Sequence, residues 1–571
     1  MLKKDVESPQ LTEGSAEQLP AGRRSLSIVF IALCTLAFVL CFLVSAGVLK
    51  QFTSTSTHIP ISSQLTSIGM KLLHRLSIHK TVDVNLVFIA ITGLEFAIYG
   101  LGAFFIQRQT SEWENRRTML FIWLGVVIAG GFLVFTQALI SGDVFAYANY
   151  GRTIVAHGSN PYFVAPSAFP QDPINHLNGW KDVIAAYGPL WLGVCSLIAL
   201  IAGTSATRYL LLFRLFALTA HLVNIALVMA ILRAQRRSSR TVTLGTLLYA
   251  WNPLLILEFC FSGHNDVFMI TFILLGMLFC ARAEQHGFTR PLQYLPPVVA
   301  FTLAGLIKFT ALPLAALYLI LLARKTLYRT TSDATKSQKA ASLQWKYALP
   351  KVLFAGITSG LVIVLPYAPF FIGHSIPAVI TSFINPPSFH LLEHSILKVT
   401  VEGIAYHGMP APTSWLYPVL TILATYKVWN TINILVVLSM FVVSAIWLWR
   451  TPTTRTFVLA GIAILGPLLV VTTWFFPWYV TWLVGLAAIS LPTSHQRIAR
   501  ALFAFALVFS ASARLTYLST GQIDPIDWNI IGCAATMVPP ILAFLFFLCI
   551  KKLPWERPLP ENDTNTMVTA P

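Results

Sequence analysis

The chain alternates long apolar runs with short polar connections. Apolar runs fall at about residues 26–49, 84–106, 118–140, 188–203, 209–232, 241–261, 266–283, 293–323, 348–371, 414–449, 456–474, 477–492, 498–518 and 529–550. A transmembrane helix needs about 20 consecutive apolar residues, and most of these runs have that length. The pattern predicts an all-α, polytopic helical membrane protein with about 13 transmembrane helices in a single domain over 26–552.

Two of these runs predict interrupted helices. The 293–323 run is too long for one span and contains Lys308, so we expect two short helices that meet near this lysine. The 414–449 run has room for a short partial crossing before a full one.

The segment 141–187 differs from the rest, since it is polar, aromatic and punctuated by glycine and proline. Asp143 stands where the preceding apolar run would leave the bilayer. A helix starting there has three further residues on the same face, Tyr147, Tyr150 and Ile154. Gly158 and the Asn160-Pro161 pair should end it. The pattern predicts a large external loop carrying a short juxtamembrane helix that lies on the membrane surface.

Composition supports the membrane assignment. Charged residues make up 11% of the chain and hydrophobic residues 56%, whereas soluble domains are roughly a quarter charged. The net charge of +17 comes from Lys and Arg in short loops, which is a topology signal rather than a nucleic-acid surface. The seven cysteines lie in or beside apolar runs without CxxC spacing, and predict neither a metal site nor a disulfide framework.

The positive-inside rule assigns the two sides. It places the disordered tails 1–25 and 553–571 in the cytoplasm, together with the Arg324–Lys351 loop. The 141–187 loop and the GHND sequence at 263–266 then face the extracytoplasmic side of the plasma membrane. The basic loop 233–240 should also be cytoplasmic by this rule, which conflicts with the scheme. A cytoplasmic position requires an even number of crossings between Ser141 and Tyr209, and only one candidate, the 188–203 run, is available. Either that run is re-entrant or the rule fails once.

Three motifs resemble a known family. SGDVFAYANYGRTIVAHGSNPY, the following YGPLW and the later GHNDVFM are similar to the bacterial polyprenol-phosphate-mannose-dependent α-(1→6) mannosyltransferases, within the GT-C integral-membrane glycosyltransferases. The motifs cover about 60 residues, whereas hydropathy and segment order agree over most of the chain. The resemblance implies a GT-C fold, a polyprenyl-phosphate sugar donor, a glycan or glycolipid acceptor and a site beside the lipid bilayer.

The resemblance also implies a catalytic base at the start of the first large external loop, which here is Asp143. A carboxylate in a partly dehydrated site can take the proton of an acceptor hydroxyl as that hydroxyl attacks the anomeric carbon. Attack opposite the leaving phosphate inverts the anomeric configuration. The alternative is that Asp143 is a helix N-cap in the SGD turn.

The leaving phosphate needs positive charge or hydrogen-bond donors. Lys308, between two apolar half-helices, and Arg152 are the candidates for binding the donor phosphate. The alternatives are a lysine that snorkels to the interface and an arginine that contacts lipid headgroups.

The remaining candidates would bind substrate. They are Tyr147, Tyr150, Asn160, Tyr162, Tyr187, His264, Asn265 and Asp266. The tyrosines also suit an interfacial aromatic belt, and the GHND residues suit a plain external turn. No cofactor is required. A divalent metal between Asp143 and Asp266 stays an alternative, although two scattered carboxylates and one histidine are a weak metal motif.

Two functions are consistent with these observations. The first is a glycosyltransferase that moves a hexose, mannose by the family likeness, onto a lipid-linked or cell-envelope glycan. The second is a lipid or solute transporter, whose ionisable residues would lie near the bilayer midplane on broken helices within paired repeats. The polar residues gather at one boundary and no repeat is visible, which favours the enzyme. A GT-C enzyme for another sugar stays open.

Overall fold

The computed structural model describes residues 21–49, 75, 81–109, 111–136, 139–327, 339–375, 377–379, 381, 392–492, 496–520 and 525–550. Apart from one β-bridge between Glu393 and Trp474, these residues form helices, turns and loops. The predicted tails 1–25 and 553–571 lie outside the described residues, except that 21–25 begin the first helix.

Nineteen α-helices are described, and we number them in chain order. They are α1 (Ala21–Leu49), α2 (Thr81–Gln107), α3 (Glu112–Val134), α4 (Asp143–Val155), α5 (Pro189–Ala202), α6 (Ala206–Ala234), α7 (Ser239–Ala250), α8 (Pro253–Ile256), α9 (Asp266–His286), α10 (Pro291–Gly305), α11 (Leu312–Leu327), α12 (Lys339–Phe371), α13 (Ile396–His407), α14 (Leu416–Leu423), α15 (Tyr426–Arg450), α16 (Thr454–Val471), α17 (Thr481–Ser490), α18 (Arg497–Ser512) and α19 (Pro525–Cys549). Short 3₁₀ segments accompany them at Pro166–Ala168, Asn175–Leu177, Phe309–Ala311, Pro477–Val480 and Ala513–Thr520.

The predicted class of a polytopic helical membrane protein is confirmed. Within the described ranges, 11 helices are long and apolar enough to cross a membrane, or up to 12 if the bent pair Ser239–Ala250 and Pro253–Phe261 is one span. This number is slightly below the predicted 13, partly because the 188–203 run forms only the short helix α5.

Both interrupted helices are present as predicted. α10 ends at Gly305, and α11 begins at Leu312 after an extended Lys308 and one 3₁₀ turn. The 414–449 run divides into the short α14 and the long α15. Lys308 is buried at the first of these breaks. The junction between α10 and α11 therefore lies inside the protein.

Helix α5 does not cross a membrane by itself. Its 14 residues span about 21 Å, whereas a bilayer core is about 30 Å thick. It runs beside α4 in the same direction, since the Tyr147 ring packs on Trp191 near the start of both helices and Arg152 donates to the Gly203 carbonyl near their ends. The two helices therefore form one parallel pair between α3 and α6.

Helix α6 returns to the end of the bundle at which α3 finishes. In its third turn, Arg214 Nη1 donates to the carbonyl of Thr136, two residues beyond α3, at 2.6 Å. At the opposite end, Arg240 donates to the carbonyl of Gln107, the last residue of α2. The chain thus makes no crossing between Ser141 and Tyr209, which removes the conflict over the basic loop 233–240.

Helix α4 has the predicted start. It begins at Asp143, and Gly158 just beyond it has a positive φ of 59°. Every residue from 143 to 153 is buried inside the protein, so other elements cover this helix, and its position at the membrane surface stays a prediction. α4 is enclosed because α5 and α6 both pack against it.

The close approach of α4 to α5 depends on Gly151. A Cβ at this position would lie 2.2 Å from the Cys195 carbonyl oxygen, whereas a Cβ at Gly193 in α5 would have no neighbour within 4 Å. We expect Gly151→Ala to destabilise the protein by about 1–3 kcal/mol through overpacking. Gly193→Ala should be neutral or slightly stabilising, because alanine favours helix.

Thermal unfolding of the two variants in the same detergent tests this expectation. Equal melting temperatures for Gly151→Ala and wild type would show that α4 can move away from α5 at no cost. Gly193→Ala is the matched control, since it makes the same chemical change on the partner helix.

Candidate active site

Asp143 is buried at the start of α4 and is held by two side-chain donors. Its Oδ1 accepts a hydrogen bond from Trp180 Nε1 at 3.2 Å, and its Oδ2 accepts one from the Tyr147 hydroxyl at 3.4 Å. The N-cap of α4 is Gly142, without a side-chain capping bond. The carboxylate therefore does not act as the helix cap that was the alternative to a catalytic role, and it contacts instead Trp180 of the loop between α4 and α5.

A second carboxylate and a histidine lie behind Asp143. His264 Nε2 is 4.0 Å from Asp143 Oδ2, and its Nδ1 hydrogen-bonds to Glu258 Oε2 at 2.9 Å. The Tyr517 hydroxyl donates to the other oxygen of Glu258 at 2.6 Å. Both His264 and Glu258 are fully buried. The bond between Nδ1 and Glu258 orients the ring so that its Nε2 atom faces Asp143, at a distance longer than a hydrogen bond.

Local structure explains how Glu258 reaches His264. Residues Leu257–Phe261 form one π-helical turn after α8, and Gly263 has a positive φ of 74° just before His264. Such π turns are frequent at functional sites. Glu258, Tyr517 and Trp180 are functional candidates that were not predicted from the sequence. A glutamate inside the apolar run 241–261 was the available signal, because a carboxylate within a span is costly unless it has partners.

Asp266 and Lys308 form a buried ion pair. Lys308 Nζ lies 2.8 Å from both carboxylate oxygens, and Trp482 Nε1 donates to Oδ1 at 2.6 Å. The ammonium also lies 4.7 Å from the centre of the Tyr479 ring. The structure thus brings Lys308 to the GHND sequence, as a partner of its aspartate. A phosphate-binding role for Lys308 stays a prediction.

Tyr147 connects the two halves of the site. Its hydroxyl lies 3.3 Å from Asn265 Oδ1 and 3.4 Å from Asp143 Oδ2. Burial raises the pKa of Tyr147, and the carboxylates of Asp143 and Asp266 raise it further. The phenol therefore keeps its proton and can donate to either oxygen.

Within the described ranges, no group of three or more His, Cys, Asp and Glu side chains could hold a metal ion.

Three other predicted substrate-binding residues hold the loop between α4 and α5 in place through side-chain hydrogen bonds. The Tyr150 hydroxyl donates to the Val183 carbonyl at 3.1 Å. The Tyr162 hydroxyl donates to the carbonyl of Tyr187 at 2.8 Å. The Asn160 amide donates to the Phe370 carbonyl at the end of α12. These bonds hold the loop against the helices, and a sugar-binding role for these side chains stays a prediction.

Arg152 lies in a different cluster from Asp143. Its Nε pairs with Asp172 Oδ2 at 2.7 Å, and His157 Nε2 contacts the same oxygen at 2.8 Å. Burial by itself raises the pKa of Asp172, but the Ile174 N–H, His157 and Arg152 together hold it below its usual value. Arg152 is nine residues, about 13 Å, along α4 from Asp143. Its predicted phosphate contact stays a prediction.

Aromatic side chains form a wall beside the catalytic candidate. Trp180 packs against Trp474 and Phe476, with ring centroids 5.7 and 6.1 Å apart. Phe476 stacks on Trp478 at 4.3 Å, and Trp478 stacks on His264 at 3.9 Å. We call these four residues, Trp180, Trp474, Phe476 and Trp478, the aromatic wall.

Fold and site together define an integral-membrane helical protein with a buried network of carboxylate, histidine and tyrosine side chains at one end of the bundle. The chain belongs to the α-(1→6)-mannopyranosyltransferase family, whose N-terminal-domain model matches residues 36–324. The predicted family is thereby confirmed. The matched region includes Asp143, Glu258, GHND and Lys308, whereas Trp482 and Tyr517 lie beyond it.

Two curated relatives carry related names. A protein of Mycolicibacterium smegmatis named as a probable α-(1→6)-mannopyranosyltransferase is 27% identical over 239 residues, 40% of each chain. α-(1→6)-Mannopyranosyltransferase B of Corynebacterium glutamicum is 28% identical over 188 residues, which is 31% of this chain and 30% of the relative. The matches therefore span less than half the length of these relatives.

Proposed function

We propose that the protein is an integral-membrane mannosyltransferase that moves mannose from a polyprenyl phosphate to a lipid-linked or cell-envelope glycan, outside the cytoplasm. Family membership supports the class of reaction. The observation that carries the mechanism is the Asp143 carboxylate, 5% exposed and fixed by Trp180 and Tyr147. A lipid-linked donor accounts for a site at the end of a bundle of membrane helices.

Asp143 is the proposed general base. The acceptor hydroxyl oxygen bonds to the anomeric carbon while the bond from that carbon to the phosphate oxygen breaks. The hydroxyl proton moves to Asp143, and the polyprenyl phosphate leaves with the electron pair. Attack from the face opposite the phosphate converts a β-linked donor into an α-linked product. A positioned base of this kind contributes about 10²–10⁴-fold to the rate.

His264 and Glu258 are the proposed positioning residues behind this base. After transfer Asp143 carries a proton, and His264 Nε2 at 4.0 Å is the nearest buried base described. Glu258 at 2.9 Å from Nδ1 fixes the ring and stabilises the imidazolium that results. This arrangement lets Asp143 return to its ionised form for the next turnover.

A transporter is a weaker candidate. Transporters hold ionisable groups near the middle of the bilayer, on discontinuous helices. Here Asp143, His264 and the Asp266–Lys308 pair gather at the end of the bundle where α3 finishes, beside the external loop. Membership of a family of mannosyltransferases favours the enzyme as well.

The proposed donor is tested with wild-type protein in nanodiscs. Radiolabelled polyprenyl-phosphate-mannose and a short α-mannoside acceptor should give a product that α-mannosidase digests. GDP-mannose without the prenyl donor should give none, because the proposed site binds a lipid-linked sugar. Transfer from GDP-mannose by itself, or from polyprenyl-phosphate-glucose in preference to the mannose donor, would contradict the proposed donor.

A further inference from the structure

A cavity with several polar side chains in its lining lies at the end of the bundle that carries Asp143. Its volume is about 290 Å³, close to the lower limit of about 300 Å³ for small-molecule pockets. It lies between α13, the first part of α19 and the 3₁₀ segment Ala513–Thr520. Its polar lining includes Glu393, His394, Lys398, Glu402, Thr516 and Asn529. Nothing in the mechanism proposed for Asp143 uses these residues.

The charged side chains described in the lining of this cavity disfavour an anionic ligand. Lys398 Nζ lies 2.7 Å from Glu393 and 3.9 Å from Glu402. Burial lowers the pKa of His394. The nearby Glu393 carboxylate raises this pKa, and the Lys398 ammonium lowers it. With His394 neutral, two carboxylates and one ammonium leave a net charge of −1. Such a cavity repels a phosphate, whereas its carboxylates accept hydrogen bonds from sugar hydroxyls.

A continuous set of contacts joins the cavity to Asp143. The His394 ring lies 5.8 Å from Phe476, and Phe476 lies 6.1 Å from Trp180, whose Nε1 donates to Asp143. Glu393 is fixed beside the aromatic wall, because its backbone bridges to Trp474 and its carbonyl accepts from the Phe475 N–H at 2.9 Å. Trp180 and Trp474 are the partly exposed members of this wall, and an aromatic ring of this kind gives a flat apolar surface for the C–H side of a sugar ring.

Two further features indicate a ligand at this place. The indole nitrogen of Trp474 is buried without a hydrogen-bond partner among the described residues, and such donors are normally satisfied. His394 has a φ of 44°, a left-handed conformation that is uncommon outside glycine and that occurs at ligand clamps. The bridge of Glu393 to Trp474 and the capping bond of Ser395 to Lys398 hold it on both sides.

We propose that this cavity, the acceptor pocket, binds a sugar residue of a neutral glycan acceptor. The next sugar lies along the aromatic wall, and its free hydroxyl reaches Asp143. This inference rests on the proposed function, because it assigns an acceptor to the transfer reaction. The donor phosphate then binds elsewhere, outside the negatively charged pocket.

Direct binding tests the pocket without catalysis. α-(1→6)-Linked mannotriose is titrated into wild-type protein in nanodiscs with no donor present, and again into Glu402→Gln and Glu112→Gln. Glu402 lines the pocket with a side chain that is 35% exposed, so its replacement should not prevent folding. We expect about tenfold weaker binding for Glu402→Gln, because a hydrogen bond to a charged acceptor is lost. Glu112→Gln is the matched control, an exposed glutamate in the first turn of α3, at the opposite end of the bundle.

Kinetics give a second readout. Glu402→Gln should raise the KM for the acceptor about tenfold while kcat and the KM for the donor stay unchanged. Absence of mannotriose binding by wild type, equal binding by Glu402→Gln, or displacement of the trisaccharide by polyprenyl phosphate would each overturn the acceptor pocket. A failure of the proposed function gives a different result. In that case mannotriose binds to wild type more tightly than to Glu402→Gln, but no donor gives transfer.

Discussion

Replacement of Asp143 by asparagine should lower the rate of mannosyl transfer by about 10²–10⁴-fold, the usual contribution of a general base. The amide has nearly the same shape, and its oxygen can still accept the Trp180 N–H bond that the structure shows. It cannot take up the hydroxyl proton of the acceptor. The loss should therefore fall on kcat, while the KM for the acceptor and the melting temperature change little. Initial rates with saturating donor measure the effect.

The control for this variant is Asp182→Asn. Asp182 is an exposed aspartate of the same external loop, and its replacement should leave kcat unchanged. If Asp143→Asn folds normally and transfers mannose at the wild-type rate, the base lies elsewhere, with Asp266 as the first alternative. Equal losses in Asp143→Asn and Asp182→Asn would point to a general effect of charge in the loop rather than to proton transfer.

Replacement of Lys308 by methionine should destabilise the protein by about 3–5 kcal/mol. The ammonium lies 2.8 Å from Asp266, whose carboxylate is fully buried. Removal of one partner of a buried ion pair leaves an uncompensated charge, which is the costly case. Melting temperature and detergent-resistant yield should both fall. The matched control is Lys325→Met, because Lys325 pairs with Glu284 at the same 2.8 Å but both side chains are about a quarter or more exposed, and such pairs contribute about 0–1 kcal/mol.

A double variant separates the two roles of Lys308. Lys308→Met combined with Asp266→Asn removes both charges and should recover most of the lost stability. If Lys308 also binds the leaving phosphate, transfer by this stable protein stays at least tenfold below wild type. Recovery of full transfer together with stability would show that Lys308 only neutralises Asp266, and the phosphate-binding role would be wrong.

Much of the secondary structure was predictable because membrane helices satisfy their own backbone hydrogen bonds. The hydropathy pattern predicted the break at Lys308, the division of the 414–449 run and the start of α4 at Asp143, and all three are present. These features depend on neighbours within one or two helical turns. The burial of α4 was not predictable from its own pattern, because it depends on α5 and α6, and on a glycine contact whose partner is 44 residues away.

Only part of the candidate site was predictable from the sequence. Asp143, Tyr147 and GHND stood out because polar residues at a membrane boundary are unusual. Glu258 is unusual as a carboxylate inside an apolar run, but the sequence does not indicate its partner, because the hydrogen bond from Tyr517 joins residues 259 positions apart. The aromatic residues of 474–479 suit an interfacial aromatic belt when the sequence is considered alone, whereas in the structure Trp478 stacks on His264.

Local hydrophobicity and short motifs were enough to predict a multi-helix membrane protein, the breaks in its helices and the family that its motifs resemble. Three other properties required the packed structure: α5 does not cross the membrane, Lys308 neutralises Asp266, and Glu258 supports His264. The physical reason is that a buried charge must find a partner within about 3 Å, and in this protein helix packing brings those partners together from distant positions in the chain.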